Sequence, residues 1–351
     1  MRILVIKLSA FGDIIHSLPV IECIAEYGRI NKRKIDLHWL IEKKWSPILV
    51  NHPGVQDLIV SNTKVWRKSI FSRPTRMEVY RFLSRLRHDK YDIVLDINCL
   101  IRSAFLARLA RARERVGFSR DAEICREKNS VYLLDRTIPV ARGNVVDQIV
   151  ELVGKVLETR FDLGMHPFLP PMEKAKKEAD ALIRDRGLVK GEYVVIAAGG
   201  GWHTKLLDEK LIAGFCDCID ECGFTPLLSW SGEAEKQRVL NILDIAVKRT
   251  KDLGDIQVDV FMELLRMSRL VIGPDTGTVH AGSAVETPTI SYYGPSSAEY
   301  SAPRRISDKV IQISPHCGPC FKRNCEKGFC NSLNTDKIRT LIREELGLEN
   351  Q

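Results

Sequence analysis

An α/β protein made of two doubly wound, parallel-sheet units is what this sequence predicts, and three observations carry the prediction. Short apolar runs rich in β-branched residues alternate with stretches whose apolar residues recur at helical spacing. The alternation starts at Arg2 and restarts at Glu192, each time as strand, glycine-containing loop and helix. Between the two, Thr159 to Pro171 holds Gly164, Pro167, Pro170 and Pro171 and reads as a linker. Two Rossmann-like domains facing a cleft are therefore expected, over residues 1–165 and 172–333. A last helix within 334–351 is expected to pack back on the N-terminal domain.

In order, Arg2 to Ile6 is a strand of the kind that is covered on both faces. Ser9-Ala-Phe-Gly-Asp13 breaks it, and Ile14, Ile15, Leu18, Ile21 and Ile24 resume at helical spacing. Strands are expected at Ile35–Ile41, Asp57–Val60, Tyr91–Ile97 and Arg115–Phe118, with helices at Pro74–Asp89, Ile101–Ala112 and Asn144–Glu158. In the second half, strands are expected at Glu192–Ala198, Phe224–Trp230, Leu270–Gly273 and Thr289–Tyr293. Helices begin there at Asp208 and span Glu233–Val247. Parallel order with right-handed crossovers follows from such a βαβ succession.

Composition narrows the class. With 44% hydrophobic and 28% charged residues, the chain has the balance of a soluble globular protein. No run approaches the ~20 apolar residues of a membrane span, and the N-terminal apolar run is too short for a signal peptide, so a cytoplasmic protein is expected. Ten cysteines in a chain this long are too few for a disulfide scaffold. The net charge of +8 suggests an anionic partner or surface. Neither unit carries G-x-G-x-x-G after its first strand, which leaves a dinucleotide-binding oxidoreductase without support.

In open α/β sheets ligands bind beyond the carboxyl ends of the strands, which places Asp13 where chemistry is expected. Its alternative reading is a helix N-cap. Lys64 to Lys90 carries nine Lys or Arg against two acids, with Trp66, Ile70 and Phe71 interleaved. A solvated helix face is the plain reading, a docking face for an anion the sharper one. No nucleic-acid motif accompanies it. Cys317, Cys320, Cys325 and Cys330 fall within fourteen residues; the first pair has the spacing of a metal knuckle, but the whole is not a standard finger. A structural metal, free thiols and a disulfide stay open there.

Four segments resemble the ADP-heptose lipopolysaccharide heptosyltransferases, and in particular the branch that adds the first heptose. They are Lys7-Leu-Ser-Ala-Phe-Gly-Asp13 with Leu18-Pro19; Val65-Trp-Arg-Lys68 with Tyr91–Asp96 and Arg115–Phe118; Leu228-Ser-Trp-Ser-Gly-Glu233; and Gly273-Pro-Asp-Thr-Gly-Thr-Val-His280 with Tyr293-Gly-Pro295. The resemblance implies a GT-B fold and an inverting, metal-independent transfer of L-glycero-D-manno-heptose from ADP-heptose to Kdo of Kdo-lipid A. It implies no required cofactor and a peripheral place on the cytoplasmic face of the inner membrane. A transferase acting at a later core position and a non-catalytic sugar-nucleotide or anionic-membrane binding protein are the alternatives.

By similarity Asp13 is the base for the acceptor hydroxyl and Lys205 binds the leaving diphosphate. Gly200, Gly201, Glu233, Asp275, Thr276, Gly277, Thr278 and His280 fall on the donor side. Lys7, Gly12, Lys64, Arg67, Lys68 and Arg120, with Arg126 nearby, fall on the acceptor side. Backbone amides at Asp275-Thr-Gly277, where a strand passes into a helix, suit an anion without a metal. Two residues keep a second reading: His280 as a packing histidine, Glu233 as a helix N-terminal acid. The chain departs from the family at Gly199-Gly-Gly201, where relatives carry hydroxyl residues, and at Leu207-Asp208, where Trp-Pro is common. Exposed glycine amides are the expected replacement for those hydroxyls.

Overall fold

Leu4, Val5 and Ile6 are wholly buried, as a strand with neighbours on both sides and helices on both faces must be. In the computed structural model, which describes residues 1–69, 71–313, 317–326, 330 and 335–347, they belong to β1 (Arg2–Ile6), at the middle of the first sheet. The chain divides into two units, Met1–Pro167 and Phe168–Gln351.

The first unit continues with α1 (Phe11–Ile15), α2 (Pro19–Ile30), β2 (Asp36–Glu42), β3 (Asp57–Ser61), α3 (Thr63–Ser69) and α4 (Arg73–His88). It closes with β4 (Lys90–Asp96), α5 (Ile101–Leu109), β5 (Arg111–Phe118), β6 (Arg136–Ile138) and α6 (Val145–Leu157). Its six strands lie in the order β3-β2-β1-β4-β5-β6, and every described pair is parallel. The order reverses between β1 and β4, where Ile6 faces Asp96. The loops after these two strands therefore diverge at the switch point, which is where open α/β sheets bind ligands.

The first helix expected from the sequence is two. Pro19 opens α2, because a residue without an amide hydrogen fits a first turn and not a helix interior. The helix expected over Ile101–Ala112 stops at Leu109. Arg115 donates from Nε to Ala107 O at 3.0 Å and from Nη2 to Ala110 O at 2.9 Å, so a side chain on the next strand satisfies carbonyls at the helix end. Arg111 and Ala112 join β5 instead, opposite Lys90 and Tyr91. At the amino ends of β1, β3 and β4, Arg85 pairs with Asp57 and Asp89, and Arg2 pairs with Asp89 at 2.9 Å.

The second unit runs α7 (Glu173–Asp185), β7 (Tyr193–Ala197), α8 (Glu209–Glu221), β8 (Thr225–Ser229), α9 (Glu233–Ile245) and β9 (Lys251–Asp252). It continues through α10 (Val258–Arg266), β10 (Leu270–Pro274), α11 (Gly277–Ala284), β11 (Thr289–Tyr293), α12 (Ala298–Ser301), β12 (Asp308–Gln312) and α13 (Thr335–Leu346). Strand order β12-β11-β10-β7-β8-β9 repeats the first sheet's topology, with the switch point between β7 and β10. Asp208 caps α8, its carboxylate accepting from the Lys210 amide at 2.8 Å.

Ile338, Ile342 and Leu346 of α13 join the core of the second unit with Phe215, Cys218 and Ile311, so this face of α13 packs on α8 and β11. An apolar stripe at i, i+4 and i+8 requires an apolar partner, and the nearest is the open face beside α8.

Candidate active site

Two groups of polar side chains stand at the two switch points, one in each unit. In the first, Asp13 lies in the opening turn of α1 directly after β1, with Gly12 before it. Its carboxylate accepts from the Ala10 amide at 3.2 Å through Oδ2 and meets Arg126 Nη2 at 3.3 Å through Oδ1. Burial raises its pKa; the charges of Lys7, Arg126 and His16 and the Ala10 amide outweigh that and hold the carboxyl below its ordinary value. The side chain is 24% exposed, so it is an ionised carboxylate that a ligand can reach.

Lys7, expected to contact an acceptor, is buried at the end of β1 and donates to Ile97 O at 3.1 Å. Its ammonium acts on Asp13 through the field. Beneath it, Asp96 at the end of β4 accepts from the Asn98 amide and from Ser103 Oγ, both at 2.9 Å, and burial pushes its pKa up to about 6. Arg102 donates to Thr63 Oγ1 at 3.1 Å and to Ser9 Oγ at 3.5 Å, tying α3 and the Asp13 loop to α5. Asp96 ends one of the segments that carry the resemblance, whereas no sequence pattern singles out Arg102, because it meets Thr63 and Ser9 only once the loops after β1 and β3 are brought together by the sheet.

Of the two arginines expected on the acceptor side, Arg126 reaches Asp13, whereas Arg120 donates to Tyr132 Oη at 2.8 Å. Lys64, Arg67 and Lys68 are exposed along α3. The aromatic residues interleaved with them part company: Trp66 turns into the core against Phe82, at 5.0 Å between ring centroids, while Phe71 is 92% exposed. Ile70 lies outside the described residues.

In the second unit Lys205 and Asp275 meet from the ends of β7 and β10. Lys205 Nζ donates to Asp275 Oδ2 at 2.5 Å and to its carbonyl at 2.9 Å, and the two side chains are 12% and 10% exposed. His280 Nε2 lies 3.1 Å from Asp275 Oδ1, one turn into α11, and Ser301 Oγ donates to that oxygen at 3.2 Å. Burial would raise the Asp275 pKa, yet the His280 hydrogen bond and the Lys205 charge hold it far below the usual carboxylate range. His280 is thus placed as the partner that fixes Asp275.

Thr276 precedes α11 as its N-cap residue, and its Oγ1 is buried with no partner among the described residues. Gly277 and Thr278, half-buried, form the first turn, whose amides point out of the helix start. Gly200 lies against this turn, since a Cβ there would stand 3.4 Å from Thr276 Cγ2. Gly201 faces open space. The spare hydroxyl, free amides and lysine together make an anion site at a helix start.

Glu233 is not part of this group: its side chain is 89% exposed at the start of α9, beside Lys236. Glu235 is the acid turned inward. Its carboxylate accepts from the Ser231 amide at 2.8 Å and overlies Gly199, where any Cβ would collide with it. Spacing alone cannot separate two acids within the same first helical turn.

Cys317 is exposed, Cys320 and Cys325 half-buried and Cys330 buried, and all four are free. Among the described residues their sulfurs do not gather within 4.8 Å; the group that does gather ligand atoms is His38, Asp57 and Asp89, whose acids are already paired with arginines. Residues 327–329 of this segment lie outside the described residues. Of the readings left open for this segment, the structural metal is without support.

Comparison with known proteins gives one consistent picture. The model of glycosyltransferase family 9 (heptosyltransferase) matches residues 79–330. Lipopolysaccharide heptosyltransferase 1 of Pseudomonas aeruginosa is 28% identical over 326 residues, 93% of this chain and 87% of the relative. The enzyme of that name from Escherichia coli is 26% identical over 301 residues, 84% of this chain and 88% of the relative. Among solved structures, E. coli heptosyltransferase WaaC with ADP matches with TM-score 0.78 and 22% identity, over 98% of this chain and 100% of that one. A family 9 glycosyl transferase from Veillonella parvula matches with TM-score 0.81 and 18% identity, over 98% and 97%. The structural likeness establishes the GT-B fold, and the family match, taking in most of the chain from α4 onward, places this glycosyltransferase in family 9, the heptosyltransferases.

Proposed function

We propose that the chain moves L-glycero-D-manno-heptose from ADP-heptose to Kdo of Kdo-lipid A, with inversion and without a metal, in lipopolysaccharide inner-core assembly on the cytoplasmic face of the inner membrane. The observation that carries the reading is Asp13, an ionised and reachable carboxylate at the switch point of a family 9 chain. Inverting transfer needs a base on the acceptor hydroxyl and charge stabilisation on the departing group. Asp13 takes the hydroxyl proton as the oxygen bonds to the anomeric carbon. The bond from that carbon to the diphosphate oxygen breaks, and ADP leaves with the bonding pair. Lys205, the Thr276 hydroxyl, the amides of Gly277 and Thr278 and those of Gly200 and Gly201 receive the diphosphate. Asp275 holds Lys205 in place, and His280 and Ser301 hold Asp275.

Exposed Lys64, Arg67 and Lys68 support contact with the lipid A phosphates, the Kdo carboxylates and an anionic leaflet, near which each cation contributes about 1 kcal/mol. No helix among the described residues is long and apolar enough to cross a membrane. The test is to incubate purified protein with ADP-heptose and Kdo-lipid A, with and without a chelator, and to follow released ADP and acceptor mass. A heptose-sized mass gain that survives chelation is expected. Transfer to a later core position alone, or strict dependence on an added divalent ion, would overturn the corresponding part of the reading.

A further inference from the structure

The glycine loop after β7 has a partner that the sequence pattern does not announce. Thr204 Oγ1 donates to Lys322 O at 2.7 Å, so the cysteine-bearing segment is clamped on the loop that carries Lys205. The Phe321 amide donates to Pro295 O at 2.8 Å, fastening the same segment to the loop after β11. Arg323 is thereby delivered to the carboxyl end of the second sheet. Its guanidinium carbon stands 5.5 Å over the Trp202 ring, and Lys205 Nζ stands 4.4 Å over that ring too.

The two cations differ in one respect that decides their use. The Lys205 charge is already met by Asp275 at 2.5 Å, so the pair together is close to neutral toward an incoming anion. Arg323 is exposed and has no carboxylate partner among the described residues. A diphosphate is a multiply charged anion, and the helix start with the Gly199-Gly-Gly201 amides offers only partial charges. A full, unmatched cation is what this loop lacks. A guanidinium fork suits two phosphate oxygens at once, and stacking on an indole leaves its edge free to do so.

We propose that Arg323 is a diphosphate-binding residue of the donor site, supplied by the cysteine-bearing segment and held in place by Trp202. The proposal rests on the donor reading given above and adds the residue that neutralises the leaving group. Calorimetric titration of the full chain with ADP and with adenosine, at low and high salt, tests it. Arg323→Gln should weaken ADP binding about 10-fold or more, the loss expected of a charged hydrogen bond, and leave adenosine binding unchanged. Arg323→Lys should recover part of the ADP affinity, and the fall of ADP affinity with salt should be shallower in Arg323→Gln than in the unaltered chain. ADP binding of Arg323→Gln equal to that of the unaltered chain overturns the proposal, as does an equal loss of ADP and adenosine, which marks Arg323 as a packing residue. Failure of the unaltered chain to bind ADP would remove the donor reading itself and this proposal with it.

Discussion

Arg126 Nη2 lies 3.3 Å from Asp13 Oδ1, joining residues 113 positions apart across the mouth of the first sheet. The pair is exposed on the arginine side, at 62%, and shielded on the carboxylate side, at 24%. That asymmetry leaves the Arg126 guanidinium facing solvent while the Asp13 carboxylate is also held by the Ala10 amide.

Asp13→Ala should lower turnover by ~10²-fold or more while ADP affinity stays near that of the unaltered chain, because a positioned base acts in the transition state and not on the donor. Steady-state kinetics beside ADP titration decides it. Near-normal turnover would remove Asp13 from the mechanism.

The pH profile follows from the same pair. Asp13 must be ionised to accept a proton, and its pKa is lowered, so kcat/KM should hold from neutral pH down to the ordinary carboxylate range and fall only below it. Arg126→Gln removes one of the charges that depress this pKa and should move the acid limb to higher pH. An unmoved limb would show that Arg126 does not act on Asp13.

Asp275→Ala should destabilise the second unit, because it strands the lysine ammonium that is now paired at 2.5 Å. Breaking a buried pair from one side costs about 3–5 kcal/mol, a drop on the order of 10 °C in melting temperature. The folded pKa of Asp275 is depressed, so its stabilising contribution is complete above the unfolded carboxylate value and is lost only as pH falls through the folded one. Thermal melts of the unaltered chain should therefore show no loss from this group between pH 5 and 8, about the range where carboxylates stay ionised. Lys205→Ala should weaken ADP binding as well as stability.

Ile342→Ala should destabilise the second unit by about 2–5 kcal/mol, since the side chain is wholly buried beside α8. Denaturant melts check this. An unchanged midpoint would mean that α13 is not part of that core.

Neutralising Lys64, Arg67 and Lys68 together should raise the apparent KM for Kdo-lipid A and reduce sedimentation with anionic vesicles, with ADP binding barely altered. Added salt should weaken the interaction of the unaltered chain, because exposed charges more than ~8 Å apart are largely screened at physiological ionic strength. If the triple variant binds vesicles and acceptor normally at low salt, α3 is a solvated face.

Linear order carried the architecture. Alternating buried strands and amphipathic helices are local patterns set by periods of 2 and 3.6, so β1, β4, β7, β10 and β11 could be read within a residue or two. So could the positions of the loops that carry Asp13, Lys205 and Asp275, because loops after parallel strands are placed by topology, while the choice of Lys205 within its loop comes from the family resemblance. What only tertiary structure decided are the relations between residues distant in the chain. The short or polar elements β6, β9 and β12 exist because neighbouring strands offer them hydrogen bonds. Lys7 turns inward to Ile97 O, Glu235 rather than Glu233 turns inward over Gly199, and Arg126 rather than Arg120 meets Asp13. The destination of α13 was decided in the same way. An apolar stripe states that a helix must be covered, but which surface covers it depends on where the remaining exposed core lies once both sheets have formed.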